Sequence, residues 1–187
     1  MALSYAILAA VVNQPSSGYD LVKRFNQSVE CFWSASHQQI YKALAKLEAD
    51  EHLSAEKIEQ ENRPTKKFYT ITDAGRQHLQ QWIAESDDIS PLKSDLLIKL
   101  SVGHTVPTDT LVQTLQAYYD QHKDKLKIYQ LLSKQYALLP ELTRENQFQY
   151  LALRAGIRQQ LAWVAWCEEA MGFLGQPIAV RESSSVS

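Results

Sequence analysis

Gln38, Lys42, Ala45 and Ala49 recur at steps of four, three and four residues, so on a helix they share one face, with Tyr41 and Lys46 on its flanks. A glutamine amide both donates and accepts hydrogen bonds, which suits an adenine edge, and a lysine ammonium reaches guanine acceptors or phosphate. The two alanines keep that face slim enough for a groove about 12 Å wide. Further along, Arg63, Lys66 and Lys67 form a basic cluster of the kind that meets a sugar-phosphate backbone. The chemistry on offer is recognition of a nucleic acid duplex, with no bond made or broken; a plain solvated helix surface shows the same polar face and is the alternative at this point.

The elements that must position these groups are legible nearby. Ser36-His37-Gln38-Gln39 fits a capping box: Ser36 accepts from the Gln39 backbone N–H and the Gln39 side chain reaches back. Ile40, Ala43, Leu44 and Leu47 then form one apolar stripe at helical spacing, opposite the polar face. Two helices are predicted before it. The first spans about 2–12, with Leu3, Ile7, Ala10 and Val11 on one side. After a loop at Pro15-Ser16-Ser17-Gly18, the second runs from Tyr19 to Gln27 with Leu21, Val22 and Phe25 apolar. Residues 53–59 and 65–71 are β-prone and Gln60–Pro64 supplies turn chemistry, so a hairpin follows, with Arg63, Lys66 and Lys67 near its tip. A fourth helix starts at Thr72 or Asp73 and is expected to bury Leu79, Trp82 and Ile83. The order of these elements is that of a winged helix-turn-helix, expected over residues 1–86.

The remainder is helical and different in kind. A short helix at about 92–102 precedes long ones at about 108–136 and 143–174, separated at Pro140. Leu111, Leu115, Tyr118, His122, Leu126, Tyr129, Leu132 and Tyr136 form a 3-4 seam on the first. Phe148, Leu151, Ala155, Ala162, Trp166 and Phe173 are the expected seam of the second. Two such helices in a chain of 187 residues expose much apolar surface, which a second copy of the chain covers most simply. The expected organisation is mainly α with a small β-hairpin: a winged domain, a helical dimerisation and effector domain over 91–176, and a disordered tail over 177–187.

Composition limits the alternatives. The formal net charge is −2, and residues 36–76 hold seven Lys/Arg against seven Asp/Glu, so bulk charge is no pointer to a polyanion. Two cysteines, Cys31 and Cys167, suit a reducing cytosol and a role as small hydrophobes. No run of 18 apolar residues is present, so no membrane span is expected. His37, His52, His78, His104 and His122 show no metal-ligand spacing, and neither a phosphate-cradling glycine loop nor a nucleophile elbow occurs. No metal, cofactor or enzymatic activity is expected.

Three motifs carry a resemblance. Ser17-Gly18-Tyr19-Asp20-Leu21, then Gln39-Ile40-Tyr41 with Leu44, Leu47 and Glu48, then Lys67–Thr72 with Gly75, Leu79 and Trp82, resemble in order and spacing the PadR family of transcriptional regulators. The C-terminal half is similar in architecture to the longer PadR-like proteins, whose C-terminal region is related to that of virulence activators. The resemblance implies a cytoplasmic homodimer on double-stranded operator DNA, a pseudo-palindromic site, repression, and release by a small aromatic effector. With the outward helix face and the basic cluster described above, the candidate DNA-binding residues are Ser36, Gln38, Gln39, Tyr41, Lys42, Lys46, Arg63, Lys66 and Lys67. Trp163, Trp166, Phe173, Tyr118 and Tyr119 are candidate pocket aromatics, with core or interface packing as the commoner role of such residues. A cleft between the winged domain and the C-terminal helices is the default place for an effector, with no residues assigned to it. Where the family has a glycine after the recognition helix, this chain has Glu51. Glutamate tolerates φ > 0 poorly, so Asp50 or His52 is expected to make the turn, or the helix to run on. The reading from a different class is a winged-helix module that holds a protein partner and no DNA, consistent with the near-neutral charge of 36–76.

Overall fold

The computed structural model describes residues 2–27, 35–60, 63–86 and 92–175, which divide into a unit within Met1–Ile89 and a second within Ser90–Ser187. The expectations for Cys31, the interdomain residues 87–91 and the tail beyond 175 fall outside the described residues.

In the first unit, α1 (Ala2–Val11), α2 (Gly18–Gln27) and α3 (His37–Ala49) pack around one core, and α4 (Asp73–Ala84) closes it. Ile7, Leu8, Leu21, Ile40 and Leu44 are fully buried there, joined by Leu47 and Leu53. Leu8 is buried beside the Ile7 and Val11 that periodicity selects. The side chain of Phe25 lies outside the described residues.

Strands β2 (Leu53–Gln60) and β3 (Arg63–Ile71) form the hairpin, in register from Leu53↔Ile71 to Gln60↔Arg63, with an irregularity between Ile58 and Gln60. The strands run closer to the turn than sequence suggests. The segment expected to be only a loop also contributes β1 (Ser16–Ser17), which pairs with Tyr69 and Phe68 on β3. The sheet order is therefore β1-β3-β2, and β3 has no free edge at its inner end. Two buried serines carry no β signal, but pairing satisfies their backbone groups away from water. In α4, Leu79 is buried as expected, Trp82 only half-buried against the core, and Ile83 is 68% exposed, one residue past the inward face.

The second unit contains α5 (Asp95–Ser101), a single 3-10 turn (Gly103–Thr105), and the antiparallel pair α6 (Thr108–Ala137) and α7 (Arg144–Phe173). At 30 residues each, the long helices extend about 45 Å. Leu115, Leu126 and Tyr129 of the expected α6 seam are buried, with Tyr119 in place of Tyr118. The α7 seam is a correction. Leu153, Gly156, Gln160, Cys167 and Met171 face inward, while Phe148, Leu151, Ala155, Ala162 and Phe173 are exposed. A glycine and a glutamine carry no apolar signal, so the richer stripe drew the assignment to the wrong side. Gln160 is buried because its Oε1 meets Nδ1 of His122 at 2.5 Å. His122 also stacks on Trp163, with ring centroids 5.5 Å apart.

Candidate nucleic-acid interface

Helix α3 begins as its sequence dictates. The Gln39 N–H donates to Ser36 Oγ at 3.3 Å, and the Ser36 N–H donates to Gln39 Oε1 at 2.8 Å. These bonds satisfy two donors that a helix start leaves unpaired, and they fix where the first turn points. Ser36 and Gln39 are exposed, but their polar groups are engaged in aiming the helix. Ile40, Leu44 and Leu47 anchor the inner face, so Gln38, Lys42, Ala45 and Ala49 are exposed together on the outer one, beside Lys46.

Tyr41 is half exposed, and its ring lies against Gly18 at the start of α2. A Cβ at Gly18 would come within 2.6 Å of that ring. The glycine thus makes room for Tyr41, a link between two of the motifs singled out in the sequence. Ser17 caps α2: its Oγ accepts from the Asp20 N–H at 3.1 Å and donates to Asp20 Oδ2 at 2.6 Å.

Lys66 and Lys67 do not form one basic cluster. They are successive residues of β3, and successive side chains on a strand point to opposite faces. Lys66 Nζ lies 4.0 Å from Asp20 Oδ2 and within 6.0 Å of the ring centroids of Tyr19 and Phe68. Lys67 Nζ donates to Glu48 Oε2 of α3 at 2.6 Å and lies 5.5 Å from the Tyr69 ring centroid. The Glu48 hydrogen bond holds the Lys67 ammonium above its usual pKa, and burial pushes the Tyr69 phenol up. Arg63 pairs with Gln60 at the end of the hairpin, and its side chain lies outside the described residues.

The end of α3 departs from expectation. Glu51 itself takes the left-handed turn, at φ 58°. The His52 N–H donates to the Leu47 carbonyl at 2.9 Å and the Glu51 N–H to the Glu48 carbonyl at 3.1 Å. This is a Schellman ending built on a glutamate. The start of α4 holds it in place: Thr72 Oγ1 donates to the Glu51 carbonyl at 2.7 Å, and the Thr72 N–H donates to the His52 carbonyl at 3.1 Å.

Sequence reasoning missed a ring ladder beside this turn. His52 stacks on His78 at 4.3 Å, His78 lies 5.0 Å from Tyr5, and Tyr5 stacks on Trp82 at 4.4 Å. The four residues come from three separate places in the chain, so no local pattern reveals them. With Lys42 and Lys46, Tyr5, His52 and His78 of this ladder border a groove of about 530 Å³ along α3.

Two of the cavities bordered by described residues lie in the second unit. One, of about 560 Å³, is lined by Leu111, Leu115, Trp166 and Phe173, with His104 and Glu169 as its ionisable groups. A shallower one, of about 400 Å³, has Trp163 and Trp166 in its wall. Tyr118 packs on His122 and Trp163, and Tyr119 is buried with its hydroxyl between Lys123 and Glu168. Among the described residues no group of three or more His, Cys, Asp or Glu is placed to hold a metal ion, and no helix is long and apolar enough to cross a membrane.

Residues 7–81 match the transcriptional regulator PadR-like family, and residues 92–174 match the virulence activator alpha C-terminal family. A probable transcriptional regulator of Mycobacterium tuberculosis is 36% identical over 185 residues, covering 90% of this chain and 95% of that one. The chain belongs to the PadR-like family of transcriptional regulators. The PadR-like assignment extends to the three-dimensional structure. Bacillus subtilis PadR, solved in complex with operator DNA, is 27% identical and superposes with a TM-score of 0.79, covering 93% of this chain and 99% of that one. The same protein in complex with p-coumaric acid is 25% identical, with a TM-score of 0.75 over 94% of this chain and 100% of that one.

Proposed function

We propose that this PadR-like regulator is a cytoplasmic, non-enzymatic repressor that binds a pseudo-palindromic operator as a homodimer. The observation that carries this reading is the outer face of α3, where Gln38 and Lys42 are exposed with two alanines on a capped helix whose other side is anchored. Gln38 and Lys42 read base edges in the major groove. Lys46, Lys66 and Arg63 neutralise phosphates. Ser36, Gln39 and Tyr41 hold the helix at its angle. Family membership and the likeness to an operator-bound PadR support the same reading.

The exposed stripe of Phe148, Leu151 and Phe173 on α7 is the surface a second copy covers. Two-fold symmetry then spaces the half-sites by about one helical turn of DNA or a multiple of it. A small aromatic ligand is the proposed effector, seated in the 560 Å³ cavity between Trp166 and Leu111. It lifts repression by favouring the conformation that does not bind DNA. Support comes from the apolar and aromatic lining and from the p-coumaric acid complex of the B. subtilis relative.

Selection of bound duplexes from a random pool tests the reading. Enrichment of a two-fold symmetric sequence whose retention falls steeply with salt is expected. Recovery of no duplex, together with a co-purifying protein, overturns it in favour of a protein-interaction module.

A further inference from the structure

Lys67 sits on the wing of a DNA-binding unit and reads at first as a phosphate ligand. Its geometry says otherwise. Its ammonium is 2.6 Å from Glu48 on α3, close to the flank of the face that carries Lys42 and Ala45. Both side chains are about one-third exposed, so the pair is sheltered without being sealed from water. The Tyr69 ring, itself 5% exposed, lies 5.5 Å from the ammonium and fills the space beneath it. Glu48 is then a carboxylate next to a polyanion site, and it is tolerated because Lys67 neutralises it. We infer that Lys67 is a positioning residue: with Glu48 it forms a strut between β3 and α3 that sets the wing relative to the recognition helix, and it does not neutralise phosphate.

The inference rests on the DNA-binding reading above and deepens it. Alternation along β3 divides the work. Lys66 faces α2, where its nearest carboxylate is 4.0 Å away, a contact loose enough to exchange for phosphate. Lys67 faces α3 and has a short, charge-assisted hydrogen bond. The strut joins the two elements that must engage one half-site together. Its loss lets each bind nucleic acid without the other in register, which costs specific affinity more than general affinity.

Equilibrium binding to a selected site and to unrelated duplex, measured across a salt series with the full chain, tests this. Lys66→Met is expected to lower the slope of log affinity against log salt by roughly 0.9, the value of one released phosphate counterion. Lys67→Met with Glu48→Gln, which removes the strut without baring a carboxylate, is expected to leave that slope unchanged while specific affinity falls roughly tenfold, within the range of one lost specific contact. Exchanging the pair, Glu48→Lys with Lys67→Glu, is expected to restore most of the specific affinity that either change alone removes. Thermal melting checks that all variants fold. A slope lowered by about one in the variant with both Lys67→Met and Glu48→Gln, or an exchanged pair no better than the single variants, overturns the strut. Wild-type protein that binds no duplex at any salt overturns the DNA-binding reading itself, and the strut with it.

Discussion

The Thr72 hydroxyl donates to the Glu51 carbonyl at 2.7 Å, so the residue that caps α4 also holds the turn that ends α3. The same oxygen accepts from the Gly75 N–H at 3.0 Å as the helix cap. A Cβ at Gly75 would collide with the His52 carbonyl, so α4 can approach that turn only at a glycine. The end of α3, the turn after it and the start of α4 are thereby joined.

Glu51→Gly is expected to stabilise the chain. A left-handed L-residue costs about 1–2 kcal/mol, part of which glycine returns through its looser unfolded state. A net gain of roughly 0.5–1 kcal/mol raises the midpoint of denaturant unfolding at constant slope. An unchanged or lower midpoint would mean that the turn is not strained.

Gly75→Ala acts in the opposite direction. The clashing atom is backbone and cannot rotate away, so a loss of roughly 1–3 kcal/mol is expected. Because the clash bears on the turn after α3, operator affinity is expected to fall as well. Circular dichroism melts and binding titrations together check both effects.

How much of this was legible beforehand follows the range of the interactions. The Ser36–Gln39 cap and the Ile40–Leu44–Leu47 stripe depend on residues within two turns, and the sequence displays them. The conformation of Glu51 is not legible locally because its support comes from Thr72, some twenty residues on. The split of Lys66 from Lys67 was within reach, since strand alternation alone separates them. Their partners Asp20 and Glu48 lie on other elements and were not. On α7 two apolar stripes compete, and a long-range bond from His122 to Gln160 selects the poorer one for the inside.

That bond yields a further prediction. His122→Phe keeps the stacking ring but leaves the Gln160 amide buried without its partner, at a cost of roughly 1–3 kcal/mol. Adding Gln160→Leu should recover most of the loss. A double-mutant cycle of unfolding free energies with no coupling would contradict the assignment.

Burial pushes the Cys167 thiol up to about 11, with the Glu168 carboxylate adding to the shift. The thiol is therefore expected to resist alkylation at pH 8 in the native protein and to react once unfolded, measured in a Cys31→Ser background. An unfolded thiol ionises near 9, so between about pH 9 and 11 the unfolded chain holds fewer protons than the native one. This group's contribution is thus present below pH 9 and lost as pH rises through 11. Cys167→Ala should flatten that part of the stability profile.

Leu151→Asp tests the assembly. Leu151 is 62% exposed on the α7 stripe with Phe148 and Phe173, so a carboxylate there costs the single chain little. A dimeric wild type and a monomeric, still helical variant are expected by light scattering at micromolar concentration. A variant that remains dimeric would place the interface elsewhere.

The outer face of α3 is most directly tested by titrating wild type, Gln38→Ala and Lys42→Ala against the selected duplex and against an unrelated one at fixed salt. Each substitution is expected to weaken binding to the selected duplex by roughly 1–3 kcal/mol while leaving the unrelated duplex much less affected. Variants that bind the selected duplex as tightly as wild type would show that DNA is read by some other surface.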